Sequence, residues 1–223
     1  MKRILLIITV LVSTLLTANA QVFVGGGIGI DLVGGKVKSG SNSTDRPSIF
    51  VFQIIPKAGY YVSDDFAIGL DVGLMTISVT TPNMMGNDDP VATTTAWQVG
   101  AFARYKLVGT EKLSLLLEGG LTIGGLKSKE KVGSNTTDGN PSSFFTIGVL
   151  PVLSYDLSDR LSIEASGDFF RLGFTLHTQK DANNKDYKQT TNNFGFGVNA
   201  INPVSDLNDV SSSLFRVGLV FKF

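Results

Sequence analysis

The chain carries few groups that could do chemistry. It has one histidine, His177, and no cysteine among 223 residues. Disulfides, thiolate metal sites, a cysteine nucleophile and a lipid-anchor cysteine are therefore excluded, as is a histidine-rich metal site. Neither G-x-S-x-G nor H-E-x-x-H occurs. Gly25-Gly26-Gly27-Ile28-Gly29 has neither phosphate-loop nor dinucleotide spacing, and Ser128-Lys129-Glu130-Lys131 matches S-x-x-K without its partner motifs. His177 is thus the one enzymatic candidate, because a rim histidine with a serine and a carboxylate is the machinery of a lipid-modifying enzyme. The plainer reading is a solvated histidine at a strand end. No catalytic residue, cofactor site or metal site is assigned. With 19 basic and 19 acidic side chains the net charge is zero, so there is no basic footprint for nucleic acid.

The elements that position the remaining polar groups are read from periodicity. Eight runs alternate apolar and small or polar residues with period two: Gln21 to Val33, Ser48 to Val62, Phe66 to Thr80, Thr93 to Leu107, Leu113 to Leu126, Ser143 to Tyr155, Leu161 to Leu176 and Ser212 to Phe223. In the seventh, Leu161, Ile163 and Ala165 lie on one parity and Phe170, Leu172 and Phe174 on the other, which implies a β-bulge between them. Each run exceeds the roughly 9–11 residues that a tilted strand needs to cross a bilayer. The composition is 43% hydrophobic and 17% charged. Beyond the N-terminus, no stretch of about 18 apolar residues could make a membrane helix. Greasy overall but never greasy for long, the chain has the pattern of membrane β-strands.

The connections alternate. Gly34 to Pro47, Thr81 to Ala92, Ser128 to Ser142 and His177 to Ser211 are long and polar; Ser63 to Asp65, Val108 to Lys112 and Asp156 to Arg160 are short. Outer-membrane barrels have long extracellular loops and short periplasmic turns. The expected fold is all-β, an eight-stranded antiparallel up-and-down transmembrane β-barrel formed by residues 21–223, with both termini periplasmic. Residues 1–20 read as a signal peptide: Lys2 and Arg3, an apolar stretch from Ile4 to Leu16, then Ala18-Asn19-Ala20, with cleavage after Ala20. Tyr60, Tyr61, Tyr105, Tyr155, Phe221 and Phe223 are expected to form a periplasmic aromatic girdle, with Trp97, Phe50 and Phe52 toward the opposite one.

If the apolar face meets lipid, the other face lines the bore. That face collects Asp31, Lys57, Asp71, Arg104, Lys106, Glu118, Glu164, Asp168, Arg216 and Lys222, five acidic and five basic. Counting back from the short turns sets Lys57 opposite Asp71, Arg104 opposite or diagonal to Glu118, and Glu164 near Arg216. Eight strands leave a bore that side chains just fill, so a balanced set reads as a polar plug. The inward glycines are the argument for the alternative, a narrow pore. In the fourth loop, Asn193 to Val198 alternates and suggests a hairpin above the membrane, and Asn83-Met84-Met85 suggests a contact patch in the second.

Two segments carry a family likeness: Pro56-Lys57-Ala58-Gly59-Tyr60-Tyr61-Val62-Ser63-Asp64-Asp65-Phe66-Ala67-Ile68-Gly69-Leu70, and the ending Phe215-Arg216-Val217-Gly218-Leu219-Val220-Phe221-Lys222-Phe223. In them the chain resembles the outer-membrane protein β-barrel domain family of Bacteroides-type bacteria, related in architecture to the small OmpA/OmpX barrels. The resemblance implies an outer-membrane location and a terminal Phe223 read by the outer-membrane assembly machinery, but no single activity. No peptidoglycan-binding domain is expected after the barrel, a departure from full-length OmpA-type proteins. The expected function is non-enzymatic, structural or surface-interacting, with outer-membrane lipid as partner and an extracellular ligand met by the loops. The alternatives are a narrow pore for small solutes or ions and a lipid-modifying enzyme.

Overall fold

The computed structural model describes residues 22–40, 42–83, 88–167, 170–181, 188–198 and 215–223. The expected signal peptide, the Met84-Met85 tip and Asp168 lie outside them. Thirteen strands are described: β1 (Val22–Val33), β2 (Lys36–Ser39), β3 (Asn42–Asp45), β4 (Ser48–Ser63), β5 (Phe66–Thr80), β6 (Val91–Gly109), β7 (Leu113–Val132), β8 (Asn135–Asp138), β9 (Ser142–Asp156), β10 (Leu161–Gly167), β11 (Phe170–Lys180), β12 (Lys188–Val198) and β13 (Phe215–Lys222). Eleven form one sheet, which closes on itself because β7 also pairs with β9; β2 and β3 form a separate hairpin.

Around the cylinder the staves are β1, β4, β5, β6, β7, β9, β10 with β11, and β13, every neighbouring pair antiparallel. The chain is a closed eight-stave β-barrel. Closure removes the unpaired edges that an open sheet would leave exposed. The seventh stave comprises β10 and β11. In β10 Ile163 pairs with Tyr155, and in β11 Leu172 pairs with Val149, so the outward parity changes from odd to even as the sequence pattern implied.

Local chemistry sets the short turns. Asp64 and Asp65 bridge Ser63 and Phe66, with a register shift between Tyr61 and Ser63. At the β6–β7 turn the Thr110 amide donates to the Leu113 carbonyl (2.7 Å), and the Leu113 amide donates back to Thr110 Oγ1 (3.1 Å). At the β9–β10 turn the Leu157 amide donates to the Leu161 carbonyl (2.8 Å), while Ser158 Oγ accepts from the Leu161 amide (3.2 Å).

Three features exceed the sequence expectation. β6 and β7 run on to Val91 and Val132, beyond the apolar alternation, because the backbone ladder continues where both faces are polar. The fourth loop contributes β12, whose eleven residues pair with β11 from Phe170↔Val198 to Lys180↔Lys188, a longer hairpin than Asn193 to Val198 alone. β8 folds back on β7 in the third loop.

The outer face is apolar. Ile30 is 59% exposed, Leu70 63%, Leu74 55%, Ile123 55% and Leu219 55%. Inside, Phe23, Ala67, Phe102 and Val220 are buried together with Tyr61 against them. Phe23 and Tyr61 have ring centroids 5.0 Å apart, and Phe23 and Phe102 6.3 Å. Room for the two phenyl rings comes from glycine: the Phe23 ring lies where a β-carbon on Gly59 would stand, and the Phe102 ring does the same over Gly69.

Candidate functional site

The candidate site is the charged cluster that spans the bore beside this aromatic layer. Four staves supply it, each from an inward position: Lys57 on β4, Arg104 on β6, Glu118 on β7 and Glu164 on β10. Arg104 Nη1 donates to Glu164 Oε1 at 2.6 Å and Nη2 to Glu164 Oε2 at 3.2 Å. The same guanidinium turns to the next wall, where Nε donates to Glu118 Oε2 at 3.1 Å and Nη2 bonds that oxygen too. Lys57 Nζ joins both carboxylates, at 2.8 Å to Glu164 Oε2 and 3.4 Å to Glu118 Oε2. Arg104 and Glu164 are buried, and two cations against two anions leave the cluster neutral. That neutrality matters, because a lone charge in such a place would cost several kcal/mol.

Aromatic faces complete the cation environment. The Arg104 guanidinium lies 5.3 Å from the Phe23 ring centroid and 5.5 Å from that of Phe102, and Lys57 Nζ lies 5.8 Å from Phe102. These are cation–π distances. Together the rings and the ion pairs lie across the bore in its short-turn half.

The other inward charges are placed separately. Lys57 and Asp71 are register partners across the first short turn, yet their side chains do not pair. Asp71 instead accepts from Gln98 Nε2 at 3.5 Å, and its carboxylate occupies the space over Gly100. Glu164 is opposite Gly218, diagonal to Arg216, and its carboxylate crosses to Arg104 and Lys57. Both register placements hold, and one reason explains why the side chains bond elsewhere. In a narrow cylinder the far wall is within reach of a long side chain, so partners need not be strand neighbours. Arg216 stands opposite Gly29 and Ser166. At the short-turn end Lys222 Nζ donates to Asp156 Oδ1 (2.9 Å), which also accepts from Ser162 Oγ (2.5 Å). Lys106 lies near that end of β6, and its amide donates to the Asp65 carbonyl at 2.8 Å.

Tyr60, Tyr105, Tyr155, Phe221 and Phe223 are exposed on the outer face at the short-turn end, with Phe221 and Phe223 edge to face at 5.1 Å. Tyr61 is a correction. It shares parity with Lys57 and Gly59, so it faces the bore and packs on Phe23 instead of joining the girdle. His177 lies at the long-loop end with Phe144 and Thr191 as register partners. Among the described residues no group of three His, Asp or Glu side chains is arranged to hold a metal ion.

Neither a family model nor a curated protein sequence matches the chain. Among solved structures, Neisserial surface protein A is similar at 15% identity, with 91% of this chain and 97% of that chain covered and a TM-score of 0.44. Ail, the attachment invasion locus protein of Yersinia pestis, is similar at 12% identity, with 92% and 99% covered and a TM-score of 0.42. A major outer membrane protein from Thermus thermophilus is similar at 12% identity, with 92% and 100% covered and a TM-score of 0.43.

Two parts of the interior went unread in the sequence. Phe23 is completely buried, the largest fully buried side chain among the described residues, and its odd parity among the inward glycines was the available signal. Toward the long loops the inner wall of β1, β4 and β5 is not polar but aliphatic: Ile49 and Val51 are buried, with Val33, Met75, Ile77 and Val79 against them.

Proposed function

We propose that the mature chain is an integral outer-membrane β-barrel that acts without catalysis, as a structural or surface-interaction protein whose long-loop end meets an extracellular ligand. The observation that carries this reading is the segregation of the two faces. Aliphatic side chains are exposed outward on the staves, while Lys57, Arg104, Glu118 and Glu164 gather inside in a neutral, mutually bonded cluster. Water as the outer solvent would penalise that arrangement at every stave; hydrocarbon stabilises it, since a mid-bilayer charge costs about 2–4 kcal/mol. The outward Tyr and Phe side chains at the short-turn end suit a membrane interface.

Membership of the Bacteroides-type small-barrel family, export by residues 1–20 with cleavage after Ala20, and recognition of Phe223 by the assembly machinery belong to the same proposal. The bore is plugged, because Phe23, Phe102 and Tyr61 stack beside four bonded charges where a pore would need water.

Heat-modifiability of the band from outer-membrane fractions tests the location. The unboiled protein is expected to migrate apart from the boiled one, and a single band in the soluble fraction would refute it. Planar-bilayer recordings test the plug: a silent membrane is expected, and steady unitary openings would replace this reading with the narrow pore. Mass spectrometry of the mature chain is expected to begin at Gln21.

A further inference from the structure

The outer face of β5, β6 and β7 changes chemistry in one step. Leu74, Trp97 and Gly125 form one cross-strand row, and below them on β7 stands Ile123, 55% exposed. The next outward row toward the long loops is Thr76, Thr95 and Lys127; the rows after it are Ser78, Thr93 and Lys129, then Thr80, Val91 and Lys131. Lys127, Lys129 and Lys131 are all exposed. Alternate residues of a strand are about 6.8 Å apart on one face, so three ammonium groups climb one edge of a hydroxyl-bearing surface over about 14 Å. Ser78 and Thr93 hydroxyls lie 3.4 Å apart on that surface. Among the described residues the one carboxylate facing these rows is Asp138 on β8, 3.8 Å from Lys129 Nζ and itself largely exposed.

We infer that this lysine ladder is a binding site for the phosphate of an anionic membrane lipid whose acyl chains lie against Leu74, Trp97 and Ile123. This rests on the membrane reading proposed above. Two features select a lipid over a soluble anion. The ladder begins on the row where the apolar band stops, so a headgroup at Lys127 places its chains on the band without a gap. The ammonium groups also stand beside hydroxyls that suit phosphate and glycerol oxygens, not beside a walled pocket that would enclose a free ion. Lysine binds phosphate as a point charge on a flexible stem, which fits a lipid that exchanges laterally.

Trp97 is the only tryptophan of the chain, 53% exposed on the outer face one row below Lys127, and so reports this position alone. The experiment reconstitutes the full-length mature barrel in phosphatidylcholine vesicles and titrates in brominated phosphatidylglycerol or brominated phosphatidylcholine, reading Trp97 quenching at low salt. A basic residue near a membrane surface contributes about 1 kcal/mol toward anionic lipid, or about fivefold. Brominated phosphatidylglycerol is expected to quench at a mole fraction at least fivefold lower than brominated phosphatidylcholine. The preference is expected to vanish in Lys127→Gln/Lys129→Gln/Lys131→Gln and to persist with arginine at the same positions. All three lysines are exposed, so the variants should keep the wild-type heat shift, which is checked first. Equal quenching by the two lipids, or an unchanged preference in the glutamine variant, overturns the site while leaving the membrane reading intact. Loss of the preference in millimolar inorganic phosphate overturns the assignment to lipid. No quenching by either lipid overturns the site and the membrane reading together.

Discussion

Replacing Arg104 with methionine tests the plug at its most demanding point. The change keeps an apolar stem in the bore and deletes the guanidinium that both glutamates share. The wild-type cluster is neutral; in the variant Glu118 and Glu164 face Lys57 alone, and a net negative charge is left at a site where the Glu164 side chain is 6% exposed. Removing one partner of a buried pair costs about 3–5 kcal/mol, because the survivor remains desolvated. The separate bonds would sum higher, at about 1.5–3 kcal/mol for each hydrogen bond to a charged group. They compete for the same two carboxylates and Lys57 stays in place, so the expected loss is the lower range. Urea unfolding in phosphatidylcholine vesicles, followed by Trp97 fluorescence and by the heat-shifted band, measures it. A double-mutant cycle with Glu164→Gln isolates the pairwise part, expected at about 1–3 kcal/mol. A loss below about 1 kcal/mol, or a coupling near zero, would mean the carboxylates are individually hydrated, and a dry, bonded plug would be the wrong description.

Phe23→Ala is expected to lower unfolding stability by about 3–5 kcal/mol, since the glycine beneath the ring offers nothing to fill the space; circular dichroism in urea checks it. Gly69→Val sets a branched side chain into the Phe102 ring and is expected to cost about 1–3 kcal/mol, relieved in part when Phe102→Ala is added. Leu70→Arg, in the outward band, is expected to cost about 2–4 kcal/mol in vesicles, while Thr76→Arg, just beyond it, costs about 0–1 kcal/mol; equal costs would misplace the boundary. Asp156→Asn is expected to change stability by less than about 1 kcal/mol, because its partnership with Lys222 is about 30% exposed and screened.

Local rules carried the sequence reading far in some places and failed in others. Turn arithmetic places Lys57 opposite Asp71 because any register in which Tyr61 meets Ala67 conserves that pairing, even with the irregularity at Val62. The same arithmetic is silent on which carboxylate a lysine chooses, because Glu118 and Glu164 reach it across the bore from 61 and 107 residues away. Alternation locates a strand only while one face is greasier than the other. It follows β5 from Phe66 to Thr80 but loses β7 after Leu126, where Lys127 to Lys131 pair with β6 with no apolar face to signal it. Tyr61 shows the complementary error: residue type suggested an interface anchor, and parity, which has no exceptions without a bulge, sent it inward. The aliphatic inner wall at Ile49 and Val51 was hidden for a related reason, since in that stretch both faces of β4 are apolar and neither is marked as the inside.

The four charged residues come from β4, β6, β7 and β10, so they meet only in a finished cylinder. A half-built wall ending at β7 holds Lys57 and Arg104 beside Glu118 but without Glu164, so the bonds that both cations make to Glu164 form only when β10 arrives. Donors of a buried cation left unbonded are penalised, and Glu164 supplies their acceptor. The bore thus works as a checksum on assembly: its bonding is complete only when the ring is.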